Sequence, residues 1–257
     1  MAEQPAALNG ISATAEAYIR RWFPHRAPLL VRLSTRLDET YCRDVAEYYD
    51  RAPRFAHDAR LKQLYDLLKR ENLKQYRAVL DADVKVVPWT GKGQPYRGFG
   101  HLVEQVCATG KLYVYLTRIG HGPARRIGYH PMRTPAGISA YGVELCHNDV
   151  FRVVHDVFGH ILFGKSFGLR GEFEATYGHL SMYPEDVLPV LFTEQIGQIC
   201  WFFWGPHLMD QAGRRRRPGD PAYLPPAERP YPEQKVFLFP QRFFDEFAAS
   251  FVRSRDD

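Results

Sequence analysis

Apolar residues recur at every third or fourth position from Ser12 to about Leu80, as at Leu61, Leu64, Leu67 and Leu68. That spacing predicts amphipathic helices over 12–80. The texture changes between Val84 and Thr134. There VKVVPW and KLYVYLT are short β-rich runs, separated by the glycine-rich turns GKGQPYRGFG and GHGPARRIG, and they predict a small sheet over 84–134. Helical patterning returns at about Asn148, with Asn148 or Asp149 as the N-cap and Gly159 as the terminator. A longer helix is expected from Pro184 to Trp204, so that 148–205 forms a helical block. Residues 213–234 are proline-rich without apolar periodicity and read as a surface loop or lid. A last helix, Gln241 to Val252, places Phe243, Phe244, Phe247 and Phe251 on one face.

The expected fold class is therefore α+β, a predominantly helical single domain over 1–257 with a small β-sheet. The length of 257 residues suits one core. Apolar residues make up 45% of the chain, including 17 Phe and 15 Tyr, so a sizeable core can form. The formal net charge of +5 is concentrated in the run Arg214–Arg217 beside the proline-rich stretch. No basic surface interleaved with stacking aromatics accompanies it, so nucleic acid is not the expected partner. Cys42, Cys107, Cys146 and Cys200 lack paired spacing and read as reduced thiols. No stretch approaches the roughly 20 apolar residues of a membrane span, and the first residues do not read as a secretory leader. The expectation is a cytoplasmic protein, with nothing that specifies an oligomer.

The strongest chemical signal is HDVFGH, residues 155–160. Imidazole is the commonest protein ligand of zinc and iron, so two histidines in one short segment point to a metal. Five residues along an α-helix turn about 140° around the axis, so the helix must end or bulge between His155 and His160. Gly159 is expected to end it by turning left-handed. A second signal lies in VLPVLFTEQIGQICWFFW, residues 187–204, where Glu194 sits on an otherwise apolar helix. A buried carboxylate needs a counter-charge, and a metal held by His155 and His160 would supply one. Two histidines and one carboxylate leave neighbouring positions open on an octahedral iron. Asp156 is a candidate for orienting the ligands from behind. Glu144, His147, Glu174 and His179 are possible additional ligands, and both glutamates together would allow two metals.

HDVFGH followed by the helical FTEQIGQ, with PMRTP at 131–135 upstream, resembles the iron-binding core of the aromatic amino acid hydroxylases, particularly the short bacterial phenylalanine hydroxylases. The resemblance spans roughly 130–205. It implies Fe(II) on His155, His160 and Glu194, a hydroxylase-like fold, and monooxygenation with O2 of a small aromatic or amino-acid-derived substrate. It suggests Arg133 as a holder of a substrate carboxylate. Tetrahydropterin as the electron donor follows from the resemblance alone, since YVYLTRIGHGPARRIGYHP does not match the family's pterin segment. Three other readings stay open: a zinc or dinuclear hydrolase, a dinuclear iron oxygenase, and a metal that only staples a binding module.

Overall fold

Aspartates open the long N-terminal helices. The Asp38 carboxylate accepts the backbone N–H groups of Thr40 at 2.8 Å and Tyr41 at 3.3 Å, and Asp58 accepts that of Arg60 at 2.8 Å. Both satisfy N–H groups that have no partner inside a helix. The helices so capped are α2 (Glu39–Arg51) and α3 (Ala59–Asp81), preceded by α1 (Ala6–Trp22). This computed structural model describes residues 5–26, 33–120 and 129–253. Most of the GHGPARRIG turn lies outside them.

The β-rich stretch forms a parallel pair, β2 (Lys85–Pro88) with β3 (Lys111–Val114), joined through α4 (Phe99–Thr109). A parallel pair needs such a crossover because the chain must return to the starting edge. Gly110, with φ 65°, ends α4. A short α5 (Thr117–Gly120) follows. The single small sheet expected over 84–134 is corrected to three separate two-stranded sheets. The second is a hairpin of β4 (Pro135–Ala140) and β5 (Val143–Cys146), just beyond that stretch. Its two-residue turn has positive φ at both Tyr141 (48°) and Gly142 (76°), the twist that antiparallel hairpins favour. The third joins β1 (Leu33–Thr35) to β6 (Phe251–Arg253), antiparallel, near opposite ends of the sequence. Strands of three residues carry no readable alternation.

The helical block begins with α6 (His147–His155), two or three residues earlier than expected, with Cys146 at the N-cap. Asp149 nevertheless fixes the helix start, because its carboxylate accepts the N–H groups of Cys146 at 3.0 Å and Thr117 at 2.7 Å. A π-helical turn, Asp156–Ile161, continues α6, and α7 (Leu169–His179) packs against it. The Pro184–Trp204 helix is interrupted. It consists of a 3-10 turn Glu185–Val187, α8 (Leu188–Phe192), a π turn Thr193–Gly197 and α9 (Gln198–Trp204). Residues 213–234 are irregular apart from the 3-10 turn Pro226–Glu228. The last helix, α10 (Gln241–Ala249), is shorter than expected, since Phe251 belongs to β6.

Two buried clusters carry the packing. One gathers aliphatic residues of α1, α3, α6 and the small strands; the other is aromatic, with Tyr49, Phe173, Phe192, Phe239, Phe243 and Phe247 among its members. Phe192 meets Phe244 and Phe239 edge-on at 4.9 and 5.0 Å between ring centres. Among the described residues no helix is long and apolar enough to cross a membrane. All four cysteines are free thiols.

Candidate metal centre

His155 and His160 face each other because the helix between them is π-wound. In a π turn the hydrogen bonds run five residues apart, as from Leu162 N–H to the Val157 carbonyl, so residues five apart stack on one face. The two imidazole centres lie 4.8 Å apart with nearly perpendicular planes. The expectation that Gly159 turns left-handed and ends the helix is corrected, since Gly159 is not among the positive-φ glycines. Its task is close approach. A Cβ there would stand 2.9 Å from His155 Nδ1 and 3.3 Å from the Ala175 carbonyl, so any larger residue would push on the imidazole.

The carboxylate that meets both histidines is Glu172, in the first turn of α7. Its Oε2 is 3.3 Å from His160 Nε2 and 3.5 Å from His155 Nε2. The three residues bring ligand atoms within 4.8 Å of one another. Among the described residues this is the cluster with a metal site's geometry.

Hydrogen-bond polarity fixes which nitrogen each histidine offers. The Lys165 carbonyl can only accept, so His160 Nδ1, 2.8 Å away, donates to it. Three groups behind His155 settle its tautomer. The Met182 carbonyl accepts from Gln75 Nε2 at 2.9 Å, which turns Gln75 Oε1 toward His179 Nε2 at 2.6 Å. An amide oxygen only accepts, so His179 carries its proton on Nε2. Burial, then the neighbouring His155 and His160, holds His179 well below its ordinary pKa, so it stays neutral with a bare Nδ1. His155 Nδ1, 3.4 Å away, must therefore donate to it. Burial also lowers His155, so it too is neutral and its Nε2 is bare.

Bare His155 Nε2 has no hydrogen-bond partner and points at a carboxylate oxygen. Two lone pairs facing each other inside a protein call for a cation between them. This donor set fits a divalent metal. In its absence a proton on His160 is the partial substitute. Burial opposes that proton, but the Glu172 carboxylate outweighs burial and raises the His160 pKa. Glu172 itself would rise on burial, yet the His160 and His155 imidazoles hold it down at about 2.

Glu194 stands outside this cluster. It lies in the second π turn, where its Oε1 accepts from the Tyr65 hydroxyl at 2.5 Å and lies 3.3 Å from His130 Nε2. Its Oε2 accepts from Gln198 Nε2 at 3.2 Å. His130 Nδ1 accepts the Met132 N–H at 3.2 Å, which leaves the His130 proton on the nitrogen facing Glu194. The Tyr65 and Gln198 side chains thus hydrogen-bond this buried carboxylate, with His130 close by, so it has polar partners without a metal. Both carboxylates open on one cavity of about 620 Å³, with aromatic walls that include Tyr96, Tyr113, Phe151, Phe167 and Phe202.

The other expected residues sort clearly. Asp156 lines the cavity, and burial raises its pKa to about 6. His179 serves as the acceptor behind His155. Glu174 turns away, accepting Thr35 N–H at 3.2 Å and pairing with Lys165 at 2.9 Å. Glu144 is exposed on β5, and His147 and Arg133 do not line the cavity. Residues two apart on a helix point to nearly opposite sides, which is why Glu172 serves the site where Glu174 cannot. Sequence reading passed over Glu172, Gln75, Tyr65 and His130. The one signal for Glu172 was its place at the start of the helix that follows HDVFGH.

No known family model matches this chain, and neither does any curated protein or solved structure.

Proposed function

We propose that this protein is a non-haem iron monooxygenase that oxidises a small substrate with O2. The observation that carries the reading is the pair of imidazoles whose Nε2 atoms converge with Glu172 at one wall of an aromatic cavity. Two histidines and one carboxylate are the ligand set of mononuclear iron oxygenases. The resemblance of HDVFGH and FTEQIGQ to the aromatic amino acid hydroxylases supports the same reading, with Glu172 in place of Glu194 as the third ligand. Iron bound there would activate O2, with electrons from a tetrahydropterin or from an easily oxidised substrate.

The chain's own residues supply the rest. Lys165 and the His179–Gln75 pair keep the two Nε2 atoms available. The aromatic walls exclude water and present flat faces to an apolar or aromatic substrate. Glu194, held by the Tyr65 and Gln198 donors, keeps lone-pair capacity toward the cavity and orients a polar group of the substrate. Asp156, with its raised pKa, can exchange a proton near neutral pH.

The test is metal content and oxygen uptake after anaerobic loading with Fe(II), comparing wild type with His155→Ala and Glu172→Ala. About one iron per chain, lost in both variants, together with oxygen uptake in the presence of phenols or aromatic amino acids, is the expected result. Tightly held zinc with ester or phosphate hydrolysis and no oxygen uptake would replace the oxygenase with a hydrolase.

A further inference from the structure

A second cavity, of about 1010 Å³, shares no lining residue with the metal centre's cavity. Five arginines line it, Arg43 and Arg214 to Arg217, against three carboxylates, Glu39, Asp210 and Asp220. Two of those carboxylates are committed to shaping the loop. Asp210 pairs with Arg214 at 2.9 Å, and Asp220 accepts the Arg217 backbone N–H at 2.5 Å. Glu39 is left as the only carboxylate there to meet the remaining guanidinium groups.

Two of these groups converge on one surface. The guanidinium carbons of Arg215 and Arg43 lie 4.0 and 5.8 Å from the centre of the Trp204 ring. Neither guanidinium has a hydrogen bond or ion pair among the described residues. Arg229, outside the cavity lining, is 8% exposed and donates from Nε to the Leu224 carbonyl at 3.1 Å. Burial lowers the Arg215 pKa, and the Arg229 charge adds to that effect. Like charges gathered on one ring destabilise the chain unless an anion joins them. Planar guanidinium groups match the oxygens of a phosphate.

We infer that the face formed by Arg43, Arg215 and Trp204 binds a small phosphate-bearing ligand. The occupant is a multivalent anion of diphosphate size, because one monovalent anion would not offset the Arg43 and Arg215 charges together. The site is independent of the metal centre, although Arg229 lies over Phe202 and Phe203, two rings that line the metal cavity.

Calorimetric titration of inorganic pyrophosphate into the full chain at constant ionic strength tests this. Saturable binding at one site per chain is expected, weakened at least tenfold by Arg215→Ala and by Arg43→Ala. Arg215→Lys keeps the charge but not the flat stack, and falls between. Both positions are exposed, so the melting temperatures of all three variants should match wild type. His155→Ala should bind pyrophosphate normally, which separates this site from chelation at a bound metal. Absence of saturation, equal binding by the arginine variants, loss of binding in His155→Ala, or binding of a single-stranded oligonucleotide but not of pyrophosphate would overturn the inference.

Discussion

Replacing Gln75 by Leu should free His155 from its fixed tautomer without touching either metal histidine. Gln75 is fully buried and joins the Met182 carbonyl to His179. With Leu there, His179 loses the acceptor that holds its proton on Nε2, and the proton can move to Nδ1. His155 Nδ1 then becomes the acceptor, and the His155 proton shifts to Nε2, the atom meant for the metal. Removing such a partner behind a ligand typically lowers metal affinity 10–100-fold, or about 1.4–2.7 kcal/mol. The Met182 carbonyl also loses its donor, which costs folding stability about 1–3 kcal/mol. Competition titration with Co(II) or Zn(II) measures the affinity, and nitrogen chemical shifts of the metal-free protein report which ring atom carries the proton. Wild-type His155 should be protonated on Nδ1, and Gln75→Leu should show a mixture. A variant that keeps wild-type affinity and a pure Nδ1–H tautomer would refute the reasoning.

Three further outcomes follow from the same geometry. Glu172→Gln should remove metal binding by at least a hundredfold, whereas Glu194→Gln should keep the metal and raise KM for substrate; metal analysis and steady-state kinetics separate them. Gly159→Ala gains up to about 1 kcal/mol of helix propensity, but its Cβ meets the His155 ring, so a fall in metal affinity with little change in melting temperature is expected. Proton and metal compete for His160, whose pKa is raised, so metal affinity should fall about tenfold per pH unit below that pKa. The raised pKa also means that the metal-free protein is stabilised by protonated His160 at low pH and loses that contribution as pH rises through the folded value. Melting curves of chelator-treated protein across this range check the sign.

HDVFGH was legible because its five-residue spacing cannot work on an α-helix, which forced a local irregularity into view. The kind of irregularity was not legible, since a glycine that ends a helix and one that yields space to a ring look alike in sequence. Glu194 stood out as a lone carboxylate on an apolar helix, and it is indeed buried and in the cavity wall. Its partners Tyr65 and His130 come from positions 129 and 64 residues away, and no local pattern could show that they satisfy it. Glu172 was hidden by its neighbour Glu174, because choosing between them needs the rotation of α7 against the histidine segment. The long helices declared themselves through periodicity and aspartate caps, while three-residue strands such as β1 and β6 held too few positions to do so.

That last pair has a consequence for where the chain can be cut. β1 meets β6, Thr35 donates its backbone N–H to Glu174, and Glu174 belongs to the helix that presents Glu172. The tail beyond α10 therefore works as a drawstring on the helix that faces the two histidines, although it lies some eighty residues downstream. A protease that trims the chain at Ser250 would leave every ligand in place and still slacken their grip. Intactness of the C-terminus thus becomes something a metal-loading assay can read.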